Sequence, residues 1–430
     1  MKIFSWSFAL KVFKRFLDVG IGVYLILIPI VIVTGGFKFE ILGVSIKANH
    51  LYTPLKILIP LILIRLIISI EFRNFLLLLG SVLMTLFAME IAMRIWDPPL
   101  AKPDIGQIHK ASAFFEWELV PGSSGHGSLG ECYHINSAGF RDTEHSLKKQ
   151  AGVRRIMVIG DSFTFGMRVN LEDTYPKQLE RMLHSAKIKS EVINCGVVGY
   201  NMWQHYEQLK RKVIPYKPDL VILGLFEDDL GSSIPKYSES NRYSGGNPFG
   251  QKRILGIIGN VSLLNFLRNA NTLFEYKNRY RRGHAYLKGI EERKKSWGPS
   301  TPTNHNYIIM SGKMEKQRCK EFLDALKQFV VTAKDAGARV LVIMIPDSVQ
   351  LNEPDMQAVN RFVEQVCGEV GVPFIDMTPV LEAEDDHPSL YLFPIDAHNS
   401  PKGLKLIAKS IADYIMEIGF FVNALPEKTT

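Results

Sequence analysis

Ser162 lies in the run Arg155-Ile156-Met157-Val158-Ile159-Gly160-Asp161-Ser162-Phe163-Thr164-Phe165-Gly166. A short stretch of β-formers ends in Gly-Asp-Ser, and a helical pattern opens after it. A serine at the carboxyl end of a parallel strand, beside a helix N-terminus, sits where backbone N–H groups point outward. Its hydroxyl can attack a carbonyl carbon, and those N–H groups can hold the oxyanion that forms. A serine hydroxyl needs a base to take its proton. Far along the chain, Pro394-Ile395-Asp396-Ala397-His398-Asn399 offers His398 as that base and Asp396 to fix its tautomer. The pattern is that of acyl transfer through a serine, and this chemistry requires no cofactor or metal.

Five apolar runs carry strand signals: Arg155–Ile159, Glu191–Asn194, Leu220–Leu225, Arg339–Ile345 and Pro373–Ile375. Helical stretches lie between and after them, at Tyr175–Leu183, Trp203–Val213, Lys316–Ala336, Met356–Val370 and Lys402–Ile418. The alternation predicts a flavodoxin-like three-layer α/β/α domain with a parallel sheet, whose ligands collect at the carboxyl ends of the strands. The domain is expected over 151–425. Before it, 97–150 reads as linker and lead-in, with Asp97-Pro98-Pro99 and Gly122-Ser123-Ser124-Gly125 as turn signals. Polar and basic stretches at about 231–310 read as an insertion between the third and fourth strands.

Four blocks between Gly160 and His398 resemble the SGNH (GDSL-like) hydrolase superfamily, over about residues 130–420. Gly160-Asp161-Ser162 matches the nucleophile block. Asn194-Cys195-Gly196-Val197-Val198-Gly199-Tyr200-Asn201 matches the second block. There the resemblance implies that the Gly199 N–H joins the Ser162 N–H in holding the oxyanion, and glycine lets the backbone come close to substrate. The third block departs from the family. Where the family has Asn-Asp, with the asparagine amide donating to the oxyanion, this chain has Glu227-Asp228-Asp229, with Asp228 in the asparagine position. An ionised carboxylate donates nothing and repels an oxyanion, and losing one such donor costs ~2.7–4 kcal/mol of transition-state stabilisation. Either Asp228 is protonated, or another donor such as Asn201 substitutes, or the reaction is slow. The last block, Asp396-Ala397-His398, is one residue shorter than the usual Asp-x-x-His and resembles alginate acetyltransferase-type members.

Ile135-Asn136-Ser137-Ala138-Gly139-Phe140-Arg141-Asp142 is similar to the Asn-x-x-Gly-Phe-Arg lead-in of a membrane-anchored bacterial subgroup. Arg141 either binds a substrate anion or pins the lead-in to the domain, and the second is favoured. The resemblance implies a serine esterase or O-acyltransferase acting on acyl esters, acetyl first, of cell-envelope polysaccharide. A membrane-associated lipase or lysophospholipase is one rival. A catalytically weak scaffold of a polysaccharide assembly system is another.

Residues 1–96 hold three apolar stretches, from about Phe16 to Thr34, Leu55 to Ile70 and Phe75 to Ile95. Each approaches the ~20 residues that cross a bilayer, although Asp18, Arg65, Glu90 and Arg94 interrupt them. Lys2, Lys11, Lys14 and Arg15 precede the first, which puts the N-terminus in the cytoplasm. Three crossings would then leave everything after Trp96 outside, on the periplasmic face of the inner membrane. The net charge is +8, and it is local: Gln251–Trp297 holds eleven Lys and Arg against Glu275, Glu291 and Glu292. This segment, with Arg279, Arg281 and Arg282, reads as a solvated face or as a contact for anionic lipid headgroups or anionic polysaccharide. Nucleic acid fits a domain outside the membrane poorly. Cys132, Cys195, Cys319 and Cys367 show no zinc spacing and read as single buried thiols.

Overall fold

The computed structural model describes residues 6–34, 37–41, 44–48, 52–68, 72–96, 108–127, 130–231, 262–264, 266–267, 270, 291–296, 305–393 and 396–420. The chain divides into two compact units, one made of Met1–Ala101 with Val261–Arg282, the other of Lys102–Asn260 with Gly283–Thr430.

Long apolar runs free of breakers build the first unit. They form helices α1 (Trp6–Thr34), α2 (Tyr52–Ile67) and α3 (Phe72–Trp96). An antiparallel pair, β1 (Phe37–Ile41) and β2 (Val44–Ala48), joins the first two. Large apolar side chains face outward, among them Phe16 at 73%, Met84 at 72% and Ile95 at 80% exposure. So much exposed apolar surface marks an interaction face. Asp18 and Arg65, which interrupt separate apolar runs in the sequence, meet each other: Arg65 donates from Nε to Oδ1 at 2.6 Å and from Nη2 to Oδ2 at 3.1 Å. Pairing lowers the cost of carrying either charge in apolar surroundings. Glu90 accepts from the backbone N–H groups of Ser262 and Leu263 at 3.0 and 2.8 Å. Part of the stretch expected as an insertion therefore belongs to this unit. Among the described residues one helical segment, Leu77–Trp96, is long and apolar enough to cross a bilayer, where the sequence predicts three. The 16 residues of α2 span about 24 Å, short of a ~30 Å hydrocarbon core.

The second unit opens with two hairpins, β3 (His109–Ser112) with β4 (Glu116–Leu119) and β5 (Ser124–His126) with β6 (Cys132–His134). A five-stranded sheet follows, built from β7 (Arg154–Gly160), β8 (Ser190–Asn194), β9 (Leu220–Leu225), β10 (Arg339–Met344) and β11 (Phe374–Asp376). Its order is β11-β10-β9-β7-β8 and every pairing is parallel. The parallel sheet is the one expected from the sequence, which predicts no strand order, and the strand ends agree to within one residue. Side chains of successive residues take opposite faces. Met157, Ile159, Val221, Leu223, Val340 and Val342 enter one core. Ile156, Val158, Leu220, Ile222, Leu341 and Ile343 enter the other. Each such side chain contributes about 1.5–3 kcal/mol on burial.

The helices in chain order are α4 (Ser162–Phe165), α5 (Tyr175–Ser185), α6 (Met202–Gln208), α7 (Asp228–Gly231), α8 (His305–Met310), α9 (Lys316–Asp335), α10 (Ala358–Val370), α11 (Thr378–Glu382) and α12 (Pro401–Glu417). Apolar residues of α6, α9 and α10 fill the first core, and those of α5 and α12 the second. The helix expected over Trp203–Val213 is regular only to Gln208, after which Leu209–Val213 forms a wider π turn.

The stretch read as linker and lead-in is folded from Ile108 onward. Ile108, Phe115, Leu119, Tyr133 and Ile135 form a third core with Phe165, Val197 and Tyr200. Asp142, fully buried, welds this lead-in to the sheet, accepting from the Asn194 N–H at 2.8 Å and from Lys177 Nζ at 3.1 Å. Breaking such a buried pair by removing one partner costs about 3–5 kcal/mol. The thiols correct one expectation. All four are free, but only Cys195 and Cys367 are buried; Cys319 is partly so, and Cys132 is exposed on a two-stranded ribbon.

Candidate active site

β7 ends at Gly160, and Asp161 caps the short helix α4 by accepting from the Phe163 N–H at 2.9 Å. Ser162 is thereby the first residue of a helix that starts at the carboxyl edge of the sheet. The edge is also where the strand order reverses, between β7 and β9, the place at which open α/β sheets bind ligands. Ser162 Oγ lies 2.7 Å from His398 Nε2 and 3.4 Å from Asp161 Oδ2. The shorter, well-formed hydrogen bond takes the hydroxyl proton.

His398 reaches Ser162 across 236 positions of sequence. Its loop is closed by a bridge between Tyr391 and Asn399, and by the Leu392 N–H donating to the His398 carbonyl at 2.8 Å. The ring is flanked by Phe163, at 4.6 Å between centroids, and Phe163 in turn stacks on Phe226 at 4.1 Å. His398 Nδ1 donates to Asp396 Oδ1, which also accepts from the His398 backbone N–H at 3.0 Å. The other oxygen, Oδ2, accepts from Arg168 Nε at 2.5 Å. Burial raises the Asp396 carboxyl, but His398 and Arg168 outweigh it and hold the group well below the usual carboxylate range. An ionised Asp396 can only accept, so the ring proton sits on Nδ1 and Nε2 is left to accept from Ser162.

Gly199 adopts φ +75°, a left-handed backbone that favours glycine. Its loop lies against α4: a Cβ on Gly196 would fall 2.1 Å from the Phe165 nitrogen. The Val197 N–H donates to the Gly160 carbonyl at 3.0 Å, and Trp117 Nε1 of the lead-in donates to the Val198 carbonyl at 3.0 Å. Asn201 is used as the cap of α6, its Oδ1 accepting from the Trp203 and Gln204 N–H groups at 3.1 and 3.2 Å. Asp228 begins α7, is exposed, and accepts from Asn306 Nδ2 at 2.7 Å. In the described contacts neither Asn201 nor Asp228 meets Ser162 or His398. Arg141 is fully buried and donates to the carbonyls of Phe165, Gly166 and Val169 at 2.7, 2.6 and 2.6 Å. It pins the lead-in to the domain and is closed to a substrate anion.

Sequence reasoning missed several buried polar groups around this centre. Burial, with Asp229 nearby, pushes the Asp161 carboxyl up to about 7. Burial also carries Asp229 well above its ordinary value and pulls His205, which lies 3.0 Å from Asp229, down to about 4. At the ends of β9 and β10 Glu227 and Asp347 are both fully buried. Burial and the Asp347 charge push Glu227 well above the carboxylate range. Arg293 donates from Nε to both oxygens of Asp347 at 2.9 and 3.0 Å, and Lys294 pairs with Glu353 at 2.9 Å. Arg293 is thus tied to a buried carboxylate, whereas Lys294 makes an exposed surface pair. Arg279, Arg281 and Arg282 lie outside the described residues. No spacing rule links Asp347 to Arg293 in sequence; only the tertiary fold does.

A parallel sheet of flavodoxin-like order thus carries a serine and a histidine joined at its carboxyl edge. Residues 158–406, more than half of the chain, match the GDSL-like Lipase/Acylhydrolase family. The chain belongs to that family, whose members are ester hydrolases. Similar solved structures include a lipase/acylhydrolase from Enterococcus faecalis, at 14% identity and TM-score 0.36, covering 62% of this chain and 96% of that one. Another is Axe2, an acetylxylan esterase from Geobacillus stearothermophilus, at 14% identity and TM-score 0.36, covering 62% and 94%. No curated protein matches the chain.

The Asp228 position yields a direct expectation. Asp228→Asn keeps an acceptor oxygen for Asn306 while removing a negative charge from the register where the family places an amide donor. Turnover of p-nitrophenyl acetate should rise several-fold with KM unchanged, because the gain is confined to the transition state. A fall in turnover with the fold intact would mean that the carboxyl group itself assists the reaction.

Proposed function

We propose that this chain is a membrane-anchored serine esterase or O-acyltransferase that moves a small acyl group, acetyl first, on esters of cell-envelope polysaccharide. The observation that carries the reading is the line of hydrogen bonds from Ser162 through His398 to Asp396. In this reading Ser162 Oγ attacks the ester carbonyl and His398 Nε2 takes its proton. Asp396 stabilises the imidazolium that results. The Ser162 and Gly199 N–H groups hold the oxyanion. The tetrahedral intermediate collapses as His398 returns the proton to the departing alkoxide, leaving an acyl-serine. Water then releases the acid in an esterase, or a sugar hydroxyl takes the acyl group in a transferase, with His398 again the base. Proton transfer of this kind contributes typically 10²–10⁴-fold. The Asp396-x-His398 spacing, shared with acetyltransferase-type members, favours acetyl and sugar over a long acyl chain.

The first unit supports the anchor. Its helices carry outward apolar surface, and two of the four charges that interrupt them, Asp18 and Arg65, satisfy each other. In this reading, crossing by all three helices behind a basic N-terminus would put the second unit outside the cytoplasm. A charged, membrane-impermeant fluorophosphonate tests nucleophile and sidedness together. Applied to spheroplasts, it should label the wild-type chain and leave Ser162→Ala unlabelled. Labelling of Ser162→Ala would remove Ser162 as nucleophile. Labelling that requires lysis would mean that the site faces the cytoplasm.

The basic segment supplies the proposed contact with anionic lipid headgroups or acidic polysaccharide through Arg279, Arg281 and Arg282. Changing these three to Gln should weaken co-sedimentation of the protein, reconstituted in neutral nanodiscs, with phosphatidylglycerol vesicles or alginate. Added salt should do the same, since exposed charges are screened beyond ~10 Å at 0.1 M. Absence of wild-type binding at low salt would return the run to a solvated face.

A further inference from the structure

Arg168 follows Ser162 by six residues and lies outside every block by which the family is recognised. It nevertheless donates from Nε to Asp396 Oδ2 at 2.5 Å, on the oxygen opposite the one that receives His398. Arg168 also holds φ +64°, a left-handed backbone that a non-glycine residue keeps only when its surroundings fix it. Those surroundings are specific. The Arg168 N–H donates to Tyr133 Oη at 2.9 Å, and Tyr133 donates in turn to Glu131 at 2.7 Å. Gly166 and Met167, just before it, both donate to the Ser162 carbonyl at 3.0 Å. The carbonyls of Phe165, Gly166 and Val169 are gathered by the single guanidinium of Arg141. The lead-in thus clamps the turn on both sides of Arg168 and aims its side chain at Asp396.

We propose that Arg168 is a positioning residue for the Ser162–His398–Asp396 group, held by Arg141 and Tyr133 of the lead-in. It acts in two ways. It fixes the rotation of the Asp396 carboxylate, so that one oxygen stays in line with His398 Nδ1. It also places a permanent positive charge beside that carboxylate, which helps to hold it ionised. Other charges face the same groups: Glu131 and Tyr133 beside Arg168, Arg293 near Asp396, and Asp161 near His398. Glu131, and Asp161 above its raised value of about 7, have the opposite sign to Arg168, and Arg293 is committed to Asp347. Arg168 is the cation bonded directly to the Asp396 oxygen that His398 leaves open.

The inference rests on the serine-esterase reading, so the test includes a control for that reading. Wild type, Ser162→Ala, Arg168→Gln and Arg168→Lys are prepared as full-length protein in detergent, and p-nitrophenyl acetate hydrolysis is followed from pH 5 to 9. Thermal unfolding reports the fold of each. Arg168→Gln should lose about 10- to 100-fold in kcat, the scale set by a small misplacement of a reacting group, with KM within about twofold. Its acidic limb of kcat/KM should move upward by about 0.5–1 pH unit, because a cation near the imidazole has gone. Arg168→Lys keeps the charge, so its limb should coincide with wild type and its kcat should recover in part.

A raised KM with unchanged kcat would make Arg168 a substrate contact and overturn the proposal. An unmoved acidic limb in Arg168→Gln, or a limb displaced equally in Arg168→Lys, would reduce Arg168 to a support of its loop and overturn it as well. If Arg168→Gln does not fold, Arg168→Met, which keeps the apolar stem, is compared with Arg168→Lys by the same criteria. Hydrolysis that survives in Ser162→Ala overturns the serine reading and this proposal together. An inactive Ser162→Ala beside an Arg168→Gln of wild-type kcat and pH profile overturns this proposal alone.

Discussion

The Asp396 carboxylate accepts from His398 on one oxygen and from Arg168 on the other. Much of the second unit can be understood as the means of delivering those two donors to one small volume. His398 arrives on a loop tied down by the Tyr391–Asn399 bridge, just ahead of the Ser400 cap that starts α12. Arg168 arrives from the other end of the domain, 228 positions away, on the turn that follows the nucleophile helix. A carboxylate between two cationic or polarised donors stays ionised through the physiological range. An ionised carboxylate permits only one neutral tautomer of the imidazole, and that tautomer leaves Nε2 facing Ser162. Geometry and protonation are therefore set by the same contact.

The lead-in does more than bring the chain to the domain. Its small core packs on Phe165, Val197 and Tyr200, residues that belong to the nucleophile helix and the Gly199 loop. Trp117 and Arg141 then grip the backbone carbonyls of those same two segments. Short loops at a sheet edge have few partners of their own, and binding sites need their positions fixed closely. A layer of hairpins laid over the loops supplies that rigidity. Arg141 is fully buried with its charge spread over carbonyl oxygens, and burial lowers it to about 10, so it still carries its charge at neutral pH.

The sheet was legible because its strands are buried on both faces and read as unbroken apolar runs; Leu220–Leu225 needs no tertiary information to be seen. The union of Ser162, His398 and Asp396 was legible because a strand-end serine and a distant Asp-x-His have few other uses together. The hairpins at Ile108–His134 were not legible. Their strands have only three or four residues, too few for an alternation such as Glu116-Trp117-Glu118-Leu119 to stand out. Arg168 was invisible for a different reason: its place is set by a left-handed turn and by Arg141, neither of which leaves a spacing in the sequence. At position 228 the sequence revealed the departure from the family but not its partner, since Asn306 comes 78 residues later. Charges told a similar story. Asp18 and Arg65 looked like flaws in two separate helices, and Arg293 like part of a solvated run, until the fold brought each to its counterion.

In the proposed reaction Ser162 becomes acylated with His398 as its base. Full-length protein mixed with p-nitrophenyl acetate, quenched in acid within the first turnover and digested, can be read by mass spectrometry. One acetyl group is expected on the peptide bearing Ser162, with its accumulation slowed by orders of magnitude in His398→Ala. An acetyl group on another residue, or equal acylation of Ser162 in His398→Ala, would contradict it.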